Sequence, residues 1–294
     1  MRSAACALLL MVSLMTGSCG KNNVVPGGSG FIEATEIVVS AEATGQLRIM
    51  RFDEGDLVME GDTIGEIDTV TTMLRLHQAE AARQMAETGV KISSLNVEQA
   101  SQSLSLAKKE YDRVAALIES GSINQQHFDQ IETGYQQAIL SEKQADAAYQ
   151  AARAELAKVE SEKALLKKQL SDCFPRSPGS GVVAGKFVEV GELIGMGKPL
   201  VKIAKLDTVW VKVYLPPEDL TKISLGGHAQ IDPEDGRAKP LDGKVSWISD
   251  QAEFTPKNVQ TKEARADLVY AVKITIPNPE KALKIGMPVS VKIQ

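Results

Sequence analysis

Between Val70 and Leu170 the chain has no proline, and its only glycines there are Gly89, Gly121 and Gly134. Nothing in that span forces a helix to stop, so one continuous α-helical region is sterically open. Aromatic residues are scarce elsewhere too. Six Phe and two Trp in 294 residues give no expectation of a large aromatic-lined pocket. Cysteine and histidine number three each and are scattered, so spacing identifies no metal cluster. His77, His127 and His228 are expected on solvated faces. Positive charge is not in excess: the formal net charge is −5, with no basic patch, which argues against nucleic acid as a partner.

What the long span does contain is Ala, Gln, Glu, Lys, Leu and Ser in a seven-residue rhythm. Leu76, Arg83, Val90, Val97, Leu104, Tyr111 and Ile118 repeat every seventh position, interleaved with Ala79, Ala86, Ser93, Ala100, Ala107 and Val114. After the midpoint Ile131, Ala138, Ala145, Ala152, Val159 and Leu166 repeat likewise, joined by Phe128, Tyr135, Tyr149, Leu156 and Leu170. Alternating steps of three and four sustained this long predict a coiled coil. Between the two series lies Ser120-Gly121-Ser122-Ile123-Asn124. Gly121 suits a helix C-cap, and Ser122 or Asn124 suits the next N-cap. A capped break between matched arms predicts an antiparallel hairpin over 70–170, each arm about 70 Å at 1.5 Å per residue. A parallel dimeric rod is the other arrangement such heptads allow.

The N-terminus reads as a processing signal. Arg2 precedes an apolar run from Ala4 to Met15, too short to span a bilayer but suited to an export signal over 1–18. Thr16-Gly17-Ser18-Cys19 looks like a bacterial lipobox, with Thr16 where Leu is commonest. Cys19 is therefore the expected lipidation site, and lipidation would anchor an exported protein to a membrane. The other reading is ordinary cleavage with an incidental thiol. Residues 19–30, rich in Asn, Gly and Ser, are assigned to a flexible tether. Cys173, beside Phe174, is expected as a small buried residue.

The segments on either side of the hairpin resemble one another. Gly45, Gly55, Gly61 and Ile67 recur as Gly181, Gly191, Gly197 and Ile203, a constant offset of 136. Asp56-Leu57-Val58 matches Glu192-Leu193-Ile194, and Ile64 matches Leu200. Glycines at fixed places between short β-rich runs mark tight turns. Neither copy can bury a core alone, so residues 31–69 and 171–205 are expected to pack on each other as one β-sandwich interrupted by the hairpin.

Paired half-motifs of this kind resemble the split lipoyl domain of periplasmic adaptors, the membrane fusion proteins of the HlyD type. Glu33-Ala34-Thr35-Glu36, Val38, Ser40 and Gly45-Gln46-Leu47 are similar to the family's first strand, and Gly55-Asp56-Leu57-Val58-Met59-Glu60-Gly61-Asp62 to its G-D-x-V-x-x-G-D turn. A lipoyl carrier displays its modified Lys where this chain has the coiled coil, so a carrier role is not supported. Gly185-Lys186-Phe187 and Gly197-Lys198-Pro199 both fail the phosphate-loop pattern.

From Leu206 alternation replaces heptads. Val209, Val211, Val213 and Leu215 face one way, with Trp210, Lys212 and Tyr214 opposite. A short helix is predicted over Glu218 to Ile223. Further strands are predicted over His228 to Asp232, Leu241 to Ser249, Leu268 to Ile276 and Val289 to Ile293, with turns at 233–236 and 277–279. Several short strands over 206–294 suit the six-stranded β-barrel of the same adaptors. The expected fold class is thus α+β: a coiled-coil hairpin inserted into a split lipoyl-like sandwich, followed by a small barrel. Ala252 to Glu263 resembles a loop of adaptors that serve ABC-type exporters; as pure physics it is a long polar loop, either functional or a connector.

The resemblance implies a non-enzymatic, periplasmic, lipid-anchored adaptor at the inner membrane. It would link an inner-membrane transporter, of ABC type, to a TolC-like outer-membrane channel as a homo-oligomer, a hexamer in the family. It implies no cofactor, metal or catalytic residue. Scattered methionines show no paired spacing for metal delivery. Adaptors that dock on TolC-like channels carry an Arg, a Leu four residues on and a Ser seven further. Arg113 and Leu117 fill the first two positions, and Asn124 stands at the third. The competing local reading has Leu117 closing the seam and Arg113 solvated. The competing global reading is a structural envelope lipoprotein whose coiled coil binds another partner.

Overall fold

The computed structural model describes residues 25–119, 123–233, 240–254 and 268–294. In chain order they form β1 (Gly27–Ser40), β2 (Gly45–Met50), β3 (Leu57–Val58), β4 (Gly65–Ile67) and the helices α1 (Val70–Glu119) and α2 (Gln125–Asp172). There follow β5 (Gly181–Lys186), β6 (Leu193–Ile194), β7 (Pro199–Leu215) and the short helix α3 (Pro217–Leu220). The chain finishes with β8 (His228–Pro233), β9 (Leu241–Phe254), β10 (Leu268–Pro277) and β11 (Pro288–Ile293). Two compact units result among the described residues, one of residues 37–203 and one of residues 25–36 with those of 204–294.

In the 37–203 unit the 136-residue repeat becomes an interlock, because the turns of each half bond to the strands of the other. Gly55 N–H donates to Val183 O (2.9 Å), and its counterpart Gly191 N–H donates to Leu47 O (2.8 Å). Val183 N–H donates to Asp56 O, as Leu47 N–H does to Glu192 O, both at 2.9 Å. Gly61 N–H donates to Ser177 O and Gly197 N–H to Ala41 O, both at 2.8 Å. The turn glycines share positive φ values, +94° and +97° at Gly55 and Gly191, +86° and +83° at Gly61 and Gly197. Side chains that carry a Cβ rarely adopt that backbone conformation, which explains why glycine recurs at the fixed offset.

Two apolar clusters fill this interlock. One holds Ala41, Leu47, Ile67, Cys173, Val188, Ile194 and Leu200, the other Val39, Val58, Ile64, Val183, Val201 and Ile203. Both draw on residues before and after the hairpin, so neither half owns a core. Cys173 is free and buried at the C-cap of α2, and burial pushes its thiol pKa up.

In the other unit the strand order is β1-β11-β8-β9-β10-β7, and β1 also pairs with β7, so the circuit of pairings closes on itself. Val209, Val211, Val213 and Leu215 are fully buried, as their alternation predicts, together with Ile231, Ile274 and Ile276. The buried Asn278 ties the turn after β10: its amide donates to Leu206 O (2.9 Å) and Leu283 O (3.1 Å) and accepts from Leu283 N–H (3.0 Å).

Several boundaries differ from the sequence expectation. Residues 27–30, assigned to the tether, are strand: Gly27 to Phe31 pair with Lys292 to Pro288 of β11. Glycine here provides close approach rather than flexibility. A Cβ on Gly27 would lie 2.3 Å from Val291 O, and one on Gly30 would lie 2.5 Å from Lys212 O. Residues 31–36, assigned to the first half-motif, group with the C-terminal strands instead, because β1 is one continuous strand. β7 likewise runs uninterrupted through the expected junction at 205 and 206. The helix expected over Glu218 to Ile223 is the single turn Pro217–Leu220.

Candidate functional site

The hairpin starts where Asp68 accepts the Val70 N–H at 2.9 Å and pairs with Arg48 (Nε to Oδ2 3.0 Å). The Arg48 hydrogen bond, then the Val70 N–H, hold the Asp68 carboxyl below its ordinary value. From there every predicted seam position, from Leu76 to Ile118 and from Phe128 to Leu170, is less than fully exposed. Only Ala79, Val114, Val159 and Leu166 are buried outright, as a two-helix seam can shield only a narrow stripe.

The same register carries two charged residues that a search for apolar positions passes over, Glu142 and Lys163. Both continue the series of Phe128, Tyr135, Tyr149, Leu156 and Leu170, and both are partly shielded. Lys163 pairs across the hairpin with Glu80, which also accepts from Arg83 Nε (3.2 Å). The Lys163 hydrogen bond is the main cause of a lowered Glu80 pKa, and Arg83 adds to it.

Near the far end three aromatic rings clasp the arms together. Tyr111 stacks on Tyr135 with centroids 5.1 Å apart and tilts against Phe128 at 5.8 Å. Val114, one turn beyond Tyr111, is 3% exposed. The clasp fixes the rotation of α1 here, and with it the outward face of its last turns.

On that face stand Arg113 and Leu117, one turn apart. Arg113 is solvated and pairs with Glu110, three residues earlier, at 3.1 Å. Leu117 is 41% exposed, because Val114 and Ile118 occupy the seam beside it. Asn124 is exposed and caps α2, its Oδ1 accepting the His127 N–H at 2.8 Å. The structure therefore brings Arg113 and Leu117 onto one face and sets Asn124 at the start of the returning helix. Residues 120–122, with the expected C-cap Gly121, lie outside the described residues, as do Cys19 and the segment 255–267. No described helix is long and apolar enough to cross a membrane. His77, His127 and His228 are all exposed.

No family model matches the chain. A UPF0194 membrane protein of Acidithiobacillus ferridurans is 28% identical over 293 residues, covering 90% of this chain and 85% of its own. The UPF0194 membrane protein YbhG of Salmonella arizonae is 26% identical over 287 residues, covering 90% and 87%. Among solved structures, MacA from Actinobacillus actinomycetemcomitans superimposes with a TM-score of 0.65 at 19% identity, over 94% of this chain and 81% of that one. The membrane fusion protein Spr0693 from Streptococcus pneumoniae R6 does so with 0.53 at 21% identity, over 90% and 97%. The fold, a helical hairpin between β-rich parts, is that of membrane fusion proteins.

Proposed function

We propose that the chain is a non-enzymatic periplasmic adaptor of the HlyD-like kind. It joins an inner-membrane exporter, of ABC type, to a TolC-like outer-membrane channel for efflux or secretion. The observation that carries this reading is the hairpin. Helices of 50 and 48 residues rise between two interlocked half-motifs and end in a face offering Arg113 and Leu117. The likeness to a solved membrane fusion protein supports it. In this reading the interlocked halves, residues 37–69 and 171–203, are a split lipoyl-like sandwich, the closed strand circuit of 27–36 and 204–294 is a small β-barrel, and six copies form the conduit. Cys19, acylated after removal of residues 1–18, holds the chain to the inner membrane.

The tip is tested by Leu117→Asp, with Leu106→Asp as the control, since Leu106 is 70% exposed along the same helix. Leu117→Asp is expected to abolish export while helicity and oligomer size stay unchanged, and Leu106→Asp to leave export intact. Normal export by the Leu117 variant would exclude the tip as the docking site and favour the envelope-lipoprotein reading. Anchoring is tested by Cys19→Ala, which should release the protein from membranes to the soluble periplasm. Unchanged fractionation with no acyl mass lost would remove the lipid anchor from the account.

A further inference from the structure

Trp210 and Trp247 are the two tryptophans of the chain, and both line one open depression of about 520 Å³ on the outward side of β7, β10 and β9. Lys212, Lys273, Ser246 and Thr275 complete the lining, and no carboxylate belongs to it. Strand register builds the site. Thr275 stands opposite Trp210, and Lys273 stands opposite Lys212 on one side and Trp247 on the other. Two ammonium groups are thus set across from each other, a pairing that repels. Neither has a carboxylate partner among the described residues. What offsets the repulsion is the Trp210 ring, whose centroid lies 4.2 Å from Lys273 Nζ and 5.9 Å from Lys212 Nζ. Below them the Thr275 hydroxyl donates to Ser246 Oγ (2.8 Å), and Ser246 Oγ donates to Lys273 O (3.1 Å). Among the described residues, therefore, the depression offers two ammoniums with no carboxylate partner and two indoles, one of them, in Trp247, 44% exposed.

A chain of net charge −5 has no general surplus of cations to explain this pair. Its chemistry fits an anion flanked by amphipathic surface. A small soluble anion in an open, wet depression is screened and weakly held. A bilayer surface covers the site, gives the ammoniums lipid phosphates, and receives the indoles at the headgroup level where tryptophan concentrates. We propose that this face of the β7, β10 and β9 strands binds the anionic headgroup layer of a phospholipid membrane. It would act independently of any acyl anchor.

The two tryptophans make the site its own reporter. The mature chain carrying Cys19→Ala, which cannot be acylated, is mixed with vesicles of phosphatidylcholine alone or of phosphatidylcholine with phosphatidylglycerol. Phosphatidylglycerol vesicles are expected to shift Trp emission to the blue and to allow quenching by brominated acyl chains, and added salt should reverse both. Lys212→Gln and Lys273→Gln are each expected to weaken vesicle binding about fivefold, the effect of one lysine at an anionic surface. No shift with phosphatidylglycerol vesicles would overturn the proposal, as would an equal shift with phosphatidylcholine alone. An equal shift with glycerol phosphate in free solution would assign the site to a soluble anion instead. A shift seen only with an acidic peptide would assign it to a protein partner. If a lysine variant melts differently from the parent, the parent's vesicle and salt responses decide the outcome.

Discussion

Glycine occupies three kinds of place in this chain, and a substitution by alanine separates them. Gly30 is confined by contact, with Lys212 O 2.5 Å and a Val211 methyl 2.7 Å from where a Cβ would sit. Gly30→Ala is expected to destabilise by about 1–3 kcal/mol, the usual cost of overpacking. Gly191 has open space around it but a φ of +97°, so Gly191→Ala costs about 1–2 kcal/mol through the backbone alone. Gly195 has neither constraint, and Gly195→Ala should stay within about 0.5 kcal/mol of the parent. Urea melts of the three variants check the ranking. A Gly30 variant as stable as the Gly195 variant would mean that β1 does not pass within contact of β7 at Lys212. Asn124 is tested in the same way. Asn124→Ala removes the acceptor for His127 N–H and is expected to cost about 1 kcal/mol, whereas Asn124→Ser keeps an oxygen there. If Ser restores stability but not export, the Asn124 side chain does more at the tip than cap a helix.

At the scale of elements the hairpin is long but thinly packed, with four buried side chains among the described residues of its two helices. Its helices rest on propensity, the seam and local ion pairs, of which exposed ones contribute little each. The β clusters, by contrast, bury residues such as Leu47, Ile64, Ile194 and Ile203 completely. Replacing residues 70–172 by a short turn is therefore expected to leave a cooperatively melting β-protein, because every residue of both clusters lies outside the two helices, Cys173 being the cap just past α2. Loss of the cooperative transition and of the β circular dichroism signal would show that the hairpin organises the halves. The β interlock makes the converse expectation. Residues 31–69 expressed without 173–203 should not fold, since their turns bond to strands that are missing.

For the whole molecule, ion pairs set a pH window rather than a large stability. Asp68, Glu80 and Glu192 are held below their ordinary values, by hydrogen bonds first from Arg48, Lys163 and Lys198 respectively. A carboxyl whose folded pKa lies below its unfolded one stabilises fully above the ordinary range and loses that contribution as pH falls. The melting temperature should thus be level near neutrality and decline as pH drops through 4.5 and 3.8, the ordinary glutamate and aspartate values. Lys186, raised by Asp53 and then Glu189, has the opposite sign: its contribution is present below the ordinary 10.5 and is lost above it. These side chains reach solvent to different degrees, from 19% exposed at Lys186 and 25% at Asp68 to 43% at Glu192 and 44% at Glu80, so high salt should weaken both limbs. Thermal melts across pH at two salt concentrations measure this. An acid limb that salt leaves untouched would point to another cause of acid unfolding.

Much of this protein is determined by its sequence alone, where the physics is local or periodic. The seam from Leu76 to Leu170 could be read because a heptad repeat states which face is shielded whatever that face meets. The turns at Gly55, Gly61, Gly191 and Gly197 could be read because positive φ is a property of single residues. The buried side of β7 could be read from alternation. Other features were decided only by which strands lie beside which. Gly27, Gly28 and Gly30 look like a tether in sequence and become strand because β11 and β7 close around them, a constraint set by residues some 180 and more positions away. The place of Lys163 in the seam depended on its partner Glu80 across the hairpin. Trp210 and Trp247, 37 residues apart in the chain, share one depression only because β10 runs between their strands and sets Lys273 between the two rings. Periodicity states which way a side chain points, whereas only tertiary pairing determines what stands next to it.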